Sequence, residues 1–172
     1  LEVKASKATD CGMLAGLVYD ATVRNVTNNA PMSFDGSAGN VRMTMGMIGL
    51  AFANEGVVID RLTNEADLTG EGGNNTTNGA TGVQIGGICG FSTNHASSAN
   101  AVAFTGCVNR GNLSTKAARA SGIVAAANRY TQLTNCVNHG DQMNTCPKED
   151  AGRLGNITCN MGTGSSMSGC TN

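Results

Sequence analysis

A chain of 172 residues with 11 basic and 12 acidic residues, a net charge of −1 and only 13% charged residues is expected to form one domain, 1–172, and carries no basic stripe of the kind nucleic acid requires. Aromatic residues make up 3%, Trp is absent and apolar residues make up 40%, so the core must come from stacked Ile, Leu, Val, Met, Ala and Cys rather than large rings. No apolar run approaches the roughly 18 residues of a membrane span.

Strands bounded by Gly, Asn, Asp and Ser follow one another along the chain. Leu14–Tyr19 and Ala21–Val26 come first, then Val41–Phe52 with Val57–Leu62 and Val83–Phe91 with Ala101–Val108. Ser121–Ala127 and Gln132–Val137 complete the series. Ala118–Asn128 has the alanine content of a helix, but Gly122 and its place in the series make it strand.

Two phrases alternate through these strands. One places Asn two residues after an apolar residue or Cys: Val26-Thr27-Asn28, Leu62-Thr63-Asn64, Cys107-Val108-Asn109, Cys136-Val137-Asn138 and Cys170-Thr171-Asn172. The other sets an apolar pair among small residues around Leu14, Ile48, Ile88, Ile123 and Ile157. The Asn phrase recurs after 36, 45, 29 and 34 residues and the apolar phrase after 34, 40, 35 and 34. Self-similarity at periods of about 20–50 residues marks a repeat architecture. The reading is therefore all-β, a β-solenoid or β-helix-like stack of about five coils of roughly 36 residues. The fifth copy stops at Asn172 and the chain opens at Leu1 without Met, so the reading is of a segment of a longer protein.

In such a stack each Asn lies above the next, and its amide can both donate and accept. The expected ladder is Asn28, Asn64, Asn109, Asn138 and Asn172, with Asn in a left-handed turn and Gly two places later (Gly111, Gly140) supporting it; Ala30 and Ala66 replace that Gly in the first two copies. Cys107, Cys136 and Cys170 share one position, so they are expected as reduced core thiols. The remaining thiols leave the disulfide question open for Cys11, Cys146 and Cys159. Cys146, before Pro147, could bridge to a neighbour, although seven cysteines cannot all pair. Neither a C-x-x-C pair nor zinc-like Cys/His spacing occurs. Polar insertions at Thr69–Thr81, Ser92–Asn100 and Met143–Arg153 are expected as surface loops and as the contacts for any partner.

The stretches GGICGF, SGIVAAA, CVNRGNL and CVNHGDQ resemble GLUG-type repeats. These occur in large secreted or surface-anchored bacterial proteins, including those of gut Bacteroidetes. The resemblance spans nearly the whole chain and is clearest over Val83–Asn172. It implies a β-solenoid, an extracellular or cell-surface setting and a structural or binding role, without naming a ligand.

Chemistry is thinly supplied. His139 occupies a position filled elsewhere by Asn29, Glu65 and Arg110, which marks a solvent-facing turn; His95 lies in a polar loop. Glu65/Asp67, Glu149/Asp150 and the group Asp60, Glu65 and Asp67 are read as solvated turn charges, although a glycosidase needs two carboxyls some 5–9 Å apart. The glycine-rich stretch Gly70–Gly79 lacks the lysine of a phosphate loop and the alternating aspartates of a calcium loop. The expectation is a non-catalytic surface or secreted module for adhesion or for binding a glycan or protein, without cofactor or metal. The alternatives are a polysaccharide-active β-helix lyase or glycosidase, and a filament or surface-layer subunit built by end-to-end association.

Overall fold

The structure, a computed structural model, describes residues 2–4, 9–36, 43–72, 82–95, 100–116, 119–145 and 153–172. The chain runs through strands in rounds. The first round is β1 (Glu2–Lys4), β2 (Thr9–Tyr19), β3 (Thr22–Arg24) and β4 (Thr27–Asn28); the second is β5 (Met32–Gly36), β6 (Met43–Ala53), β7 (Val57–Asp60) and β8 (Thr63–Asn64). The third is β9 (Leu68–Gly72), β10 (Val83–Gly86), β11 (Cys89–Asn94), β12 (Val102–Thr105) and β13 (Val108–Asn109). The fourth is β14 (Leu113–Lys116), β15 (Arg119–Ser121), β16 (Val124–Ala127), β17 (Thr131–Thr134) and β18 (Val137–Asn138), and β19 (Gln142–Asn144), β20 (Arg153–Gly155) and β21 (Ser166–Ser168) follow.

Every round visits four sheets in one order. The first sheet runs β1-β5-β9-β14-β19, and the third β3-β7-β12-β17-β21. The fourth runs β4-β8-β13-β18. In the second sheet, β6 pairs with β2 on one side and with β10 and β11 on the other, and β15, β16 and β20 continue it. All these ladders are parallel, as in Val57↔Val102↔Thr131. Isolated parallel bridges at Val124↔Thr158 and Val137↔Thr171 carry the second and fourth sheets one round further.

Inward and outward positions alternate along β7, β12, β14 and β17, as a sheet with one dry face requires, whereas β10 and β16 of the second sheet are buried at every position. Met32, Phe34, Leu68 and Leu113 of the first sheet pack on Met43, Met45, Val83 and Ile85 of the second. A larger cluster joins Ile48, Ile88 and Ile123 to Ile59, Phe104 and Leu133 of the third sheet and to Leu62, Cys107 and Cys136 beside the fourth. Burying each large side chain of this kind contributes about 1.5–3 kcal/mol. Between the two clusters the second sheet folds back on itself. A β-carbon on Gly90 would run into the backbone of Thr44, Met45 and Gln84, so the small residues of the apolar phrase answer to close backbone approach.

Several expectations are corrected. Leu14 does not share the position of Ile48: β2 bulges between Gly12 and Ala15, and Ala15 pairs with Ile48. A one-residue slip turns a side chain to the other face, and Leu14 is 44% exposed. The left-handed residue is not the Asn of the phrase, which lies in a strand, but the residue three places before it: Asn25, Arg61, Gly106, Asn135 and Gly169 have φ of 55, 54, 58, 52 and 60°. That turn lets the chain leave the third sheet so that the Asn can point inward. Gly111 and Gly140 meet steric rather than conformational demands, since a β-carbon would overlap Ala66 O and Gly111 O respectively. Residues 69–72, 92–94 and 143–144 lie in β9, β11 and β19 rather than in loops; most of the remainder of those three insertions, with Cys146, Glu149 and Asp150, lies outside the described residues.

Candidate functional site

The Asn residues of β4, β8, β13 and β18 stand one above another. Asn28 Nδ2 donates to Asn64 Oδ1 at 2.8 Å, Asn64 to Asn109 at 2.8 Å, Asn109 to Asn138 at 2.7 Å and Asn138 to Asn172 at 2.9 Å. The second proton of each donor goes to a backbone carbonyl two residues on: Ala30, Ala66, Gly111 and Gly140. Asn64, Asn109 and Asn138 are buried. Their amides face one another and the turn, which leaves nothing for a ligand.

Cys107 and Cys136 are buried, while Cys170 is partly exposed; all three are thiols outside any disulfide, as are Cys11, Cys89 and Cys159. Cys136 N–H points at Cys170 Sγ, 3.4 Å away. The hydrogen bond to Cys107 and then burial push the Cys136 thiol up, and burial pushes Cys89 up to about 12. The hydrogen bond with Cys136 holds the Cys107 thiol below its usual value, and Cys107 and Cys136 pack in the core. Among the described residues no group of three or more His, Cys, Asp or Glu could hold a metal ion.

The carboxylates singled out in the sequence are engaged separately. Asp60 meets Arg61 at 2.9 Å and Arg24 at 3.7 Å. Glu65 meets Arg110 at 2.6 Å, and Asp67 Oδ1 accepts the Asn112 N–H at 2.8 Å. His139 is exposed at the turn. His95 lies edge-on to Phe52, with centroids 5.3 Å apart.

A different set of residues meets on the outer face of the first sheet. Alternation buries Met32, Phe34, Leu68 and Leu113 and turns Ser33, Thr69, Ser114, Glu71 and Lys116 outward. The register aligns Ser33↔Thr69↔Ser114↔Met143 in one row and Asp35↔Glu71↔Lys116 in the next. Ser33, Thr69 and Ser114 of the first row and Asp35, Glu71 and Lys116 of the second line a groove of about 450 Å³ that extends to Thr145. Lys116 Nζ lies 3.5 Å from Glu71 Oε1, with the two side chains 52% and 60% exposed. The groove offers two carboxylates in register, of which Asp35 is half-buried and Glu71 exposed, with an exposed ammonium and hydroxyls.

Neither a family model, a curated protein nor a solved structure matches the chain.

Sequence reasoning missed this groove: Ser33-x-Asp35, Thr69-x-Glu71 and Ser114-x-Lys116 alternate, but none of the three stretches was expected as strand, and Gly and Thr around Thr69 read as loop. On the second sheet, Tyr19 stacks on Phe52 at 5.4 Å and 11°, with Phe52 against His95. Rings stacked along a ladder cover one another's faces and present edges to solvent, which makes a poor platform for a sugar.

Next to Tyr19, Asp20 Oδ1 accepts the N–H groups of Asn54, Glu55 and Gly56 at 2.6, 2.7 and 3.2 Å. Desolvation pushes the Asp20 carboxyl up, but these donors, with the Tyr19 hydroxyl, outweigh it and hold the carboxyl below its usual range. A depressed folded pKa contributes stability above the unfolded pKa of about 3.9 and loses it as pH falls through the folded value. Asp20→Ala is therefore expected to lower the thermal midpoint at pH 7, and to lower it less at pH 2. Melting curves at both pH values check this.

Proposed function

We propose that the chain is a β-solenoid module that binds ligands without catalysis, in a secreted or surface-exposed bacterial protein. The observation that carries the reading is the parallel pairing of each round with the next at the spacing of the Asn phrase, 36, 45, 29 and 34 residues. Stacking of that kind converts single outward residues into continuous rows, which suits extended recognition. The resemblance to GLUG-type repeats supports the surface setting. No helix among the described residues is long and apolar enough to cross a membrane; this leaves the setting to the resemblance alone.

Catalysis is disfavoured on physical grounds. A general acid in a glycosidase is a carboxyl drawn out of water, whereas Glu71 is well exposed and ion-paired. The carboxylates at Asp60, Glu65 and Asp67 each serve a structural partner.

The test uses the 172-residue chain on a glycan array and a panel of surface proteins, beside incubations with acidic and neutral polysaccharides. Binding without release of sugar ends is the expected outcome. Sugar release would replace this reading with the enzyme, and absence of binding on every surface would remove it. Sedimentation of the same preparation is expected to give a mass independent of concentration, while growth with concentration would favour the filament.

A further inference from the structure

We infer that the groove on the first sheet is the binding site of this module, and that its ligand is an extended neutral polysaccharide lying along the stack, across the strands. The inference rests on the binding role proposed above and gives it a place and a chemistry.

The groove floor repeats. Ser33, Thr69 and Ser114 stand in register on β5, β9 and β14, so hydroxyls recur in steps of about 4.8 Å, the spacing of neighbouring strands. A ligand crossing the strands meets the same donor and acceptor at each step, which suits a polymer of equal hydroxyl-bearing units. Beside that rail, Lys4, Asp35, Glu71 and Lys116 form a second row. Carboxylates accept from sugar hydroxyls and the ammonium donates to them, and such charge-assisted bonds are the stronger kind. The ion pair between Glu71 and Lys116 is long and exposed; pairs like it contribute little, so ligand hydroxyls can replace it at small cost. Met143 extends the hydroxyl row and is 55% exposed, an apolar surface for the C–H face of a sugar.

The same features disfavour other polymers. An extended peptide binds a sheet by adding a strand at its edge, but β5, β9 and β14 are paired on both sides, so no main-chain partners are open here. With Glu2 and Lys4 of β1 in register beside Ser33 and Asp35, these rows carry three carboxylates and two ammoniums, so they offer no net positive charge to a polyanion, which disfavours uronate chains and nucleic acid. A volume of about 450 Å³ falls within the range of ligand clefts, roughly 300–1,000 Å³.

The test measures binding of the full chain to hexamers of neutral sugars (β-linked glucose, xylose or mannose), to oligogalacturonate and to an extended peptide library. A Thr69→Ala/Ser114→Ala double variant and Glu71→Gln are carried alongside, with thermal melts as folding controls. These are exposed substitutions that leave the core side chains in place. The expected result is binding of a neutral hexamer, weakened about tenfold or more in the double variant, since two hydrogen bonds of ordinary strength are lost. Unchanged affinity in both variants would overturn the groove while leaving the module a glycan binder. A preference for oligogalacturonate or for peptide would overturn the ligand class. Failure of the native chain to bind any of these, with binding to another surface retained, would overturn the inference and leave the module standing.

Discussion

Asn109→Ala is expected to destabilise the fold by about 3–5 kcal/mol. Asn109 is fully buried and makes three hydrogen bonds: its Nδ2 donates to Asn138 Oδ1 at 2.7 Å and to Gly111 O at 2.9 Å, and its Oδ1 accepts from Asn64 Nδ2 at 2.8 Å. Truncation leaves a donor on Asn64, an acceptor on Asn138 and a turn carbonyl with one partner fewer. Each buried polar group left unsatisfied costs about 1–3 kcal/mol, and the vacated space adds a smaller cavity cost. Asn28 provides the internal control. It is only partly buried and donates into the ladder at one end, where water replaces a lost bond, so Asn28→Ala is expected to cost about 1 kcal/mol or less. Urea denaturation of both variants checks the order. Equal, small losses would mean that the amide ladder contributes little beyond ordinary turn bonds.

That ladder was readable because Asn has a specific job there. It recurs at fixed places between an inward apolar residue and a tight turn, and no other side chain both donates and accepts along a stack with the same reach. Strands β7, β12 and β17 of the third sheet were readable because Val57, Ile59, Val102, Phe104 and Leu133 fall at every second position, whereas those of the first sheet were not expected as strands. What failed is instructive. The two-residue strands β4, β8, β13 and β18 are too short to show a period of two, so their Asn looked like turn residues. The left-handed corner carries Asn, Arg or Gly in different rounds, and Arg61 hides it best: it is held there by Asp60 at 2.9 Å and by Asn25 Oδ1 at 2.9 Å, partners from its own round and the round before. The slip at Leu14 depends on a bulge that only pairing with β6 reveals. The groove was hidden by composition, because the outward half of β9 consists of Thr69 and Glu71 between glycines.

Gly87→Ala is expected to be the other severe substitution, at about 3 kcal/mol, and it connects the two sequence phrases physically. Gly87 belongs to the apolar phrase and Asn109 to the other, yet a β-carbon on Gly87 would lie 2.5 Å from Asn109 Oδ1 and would also meet Gly122 O. Gly122 stands in the same relation to Asn138 one round later. The backbone at Gly87 is not left-handed, so the cost is overlap rather than conformation. Overpacking a filled site costs about 1–3 kcal/mol and occasionally more, and here the obstacles are a backbone carbonyl and a side chain fixed by three hydrogen bonds, neither free to move. This gives the pair a signature that separate structural roles would not produce. In a double-mutant cycle, Gly87→Ala is expected to cost at least about 1 kcal/mol less when Asn109 is already alanine, because contacting residues couple by about 0.5–3 kcal/mol. Strict additivity of the two losses would mean that the Gly122 carbonyl alone excludes the β-carbon, and that the glycine of one phrase does not exist to make room for the asparagine of the other.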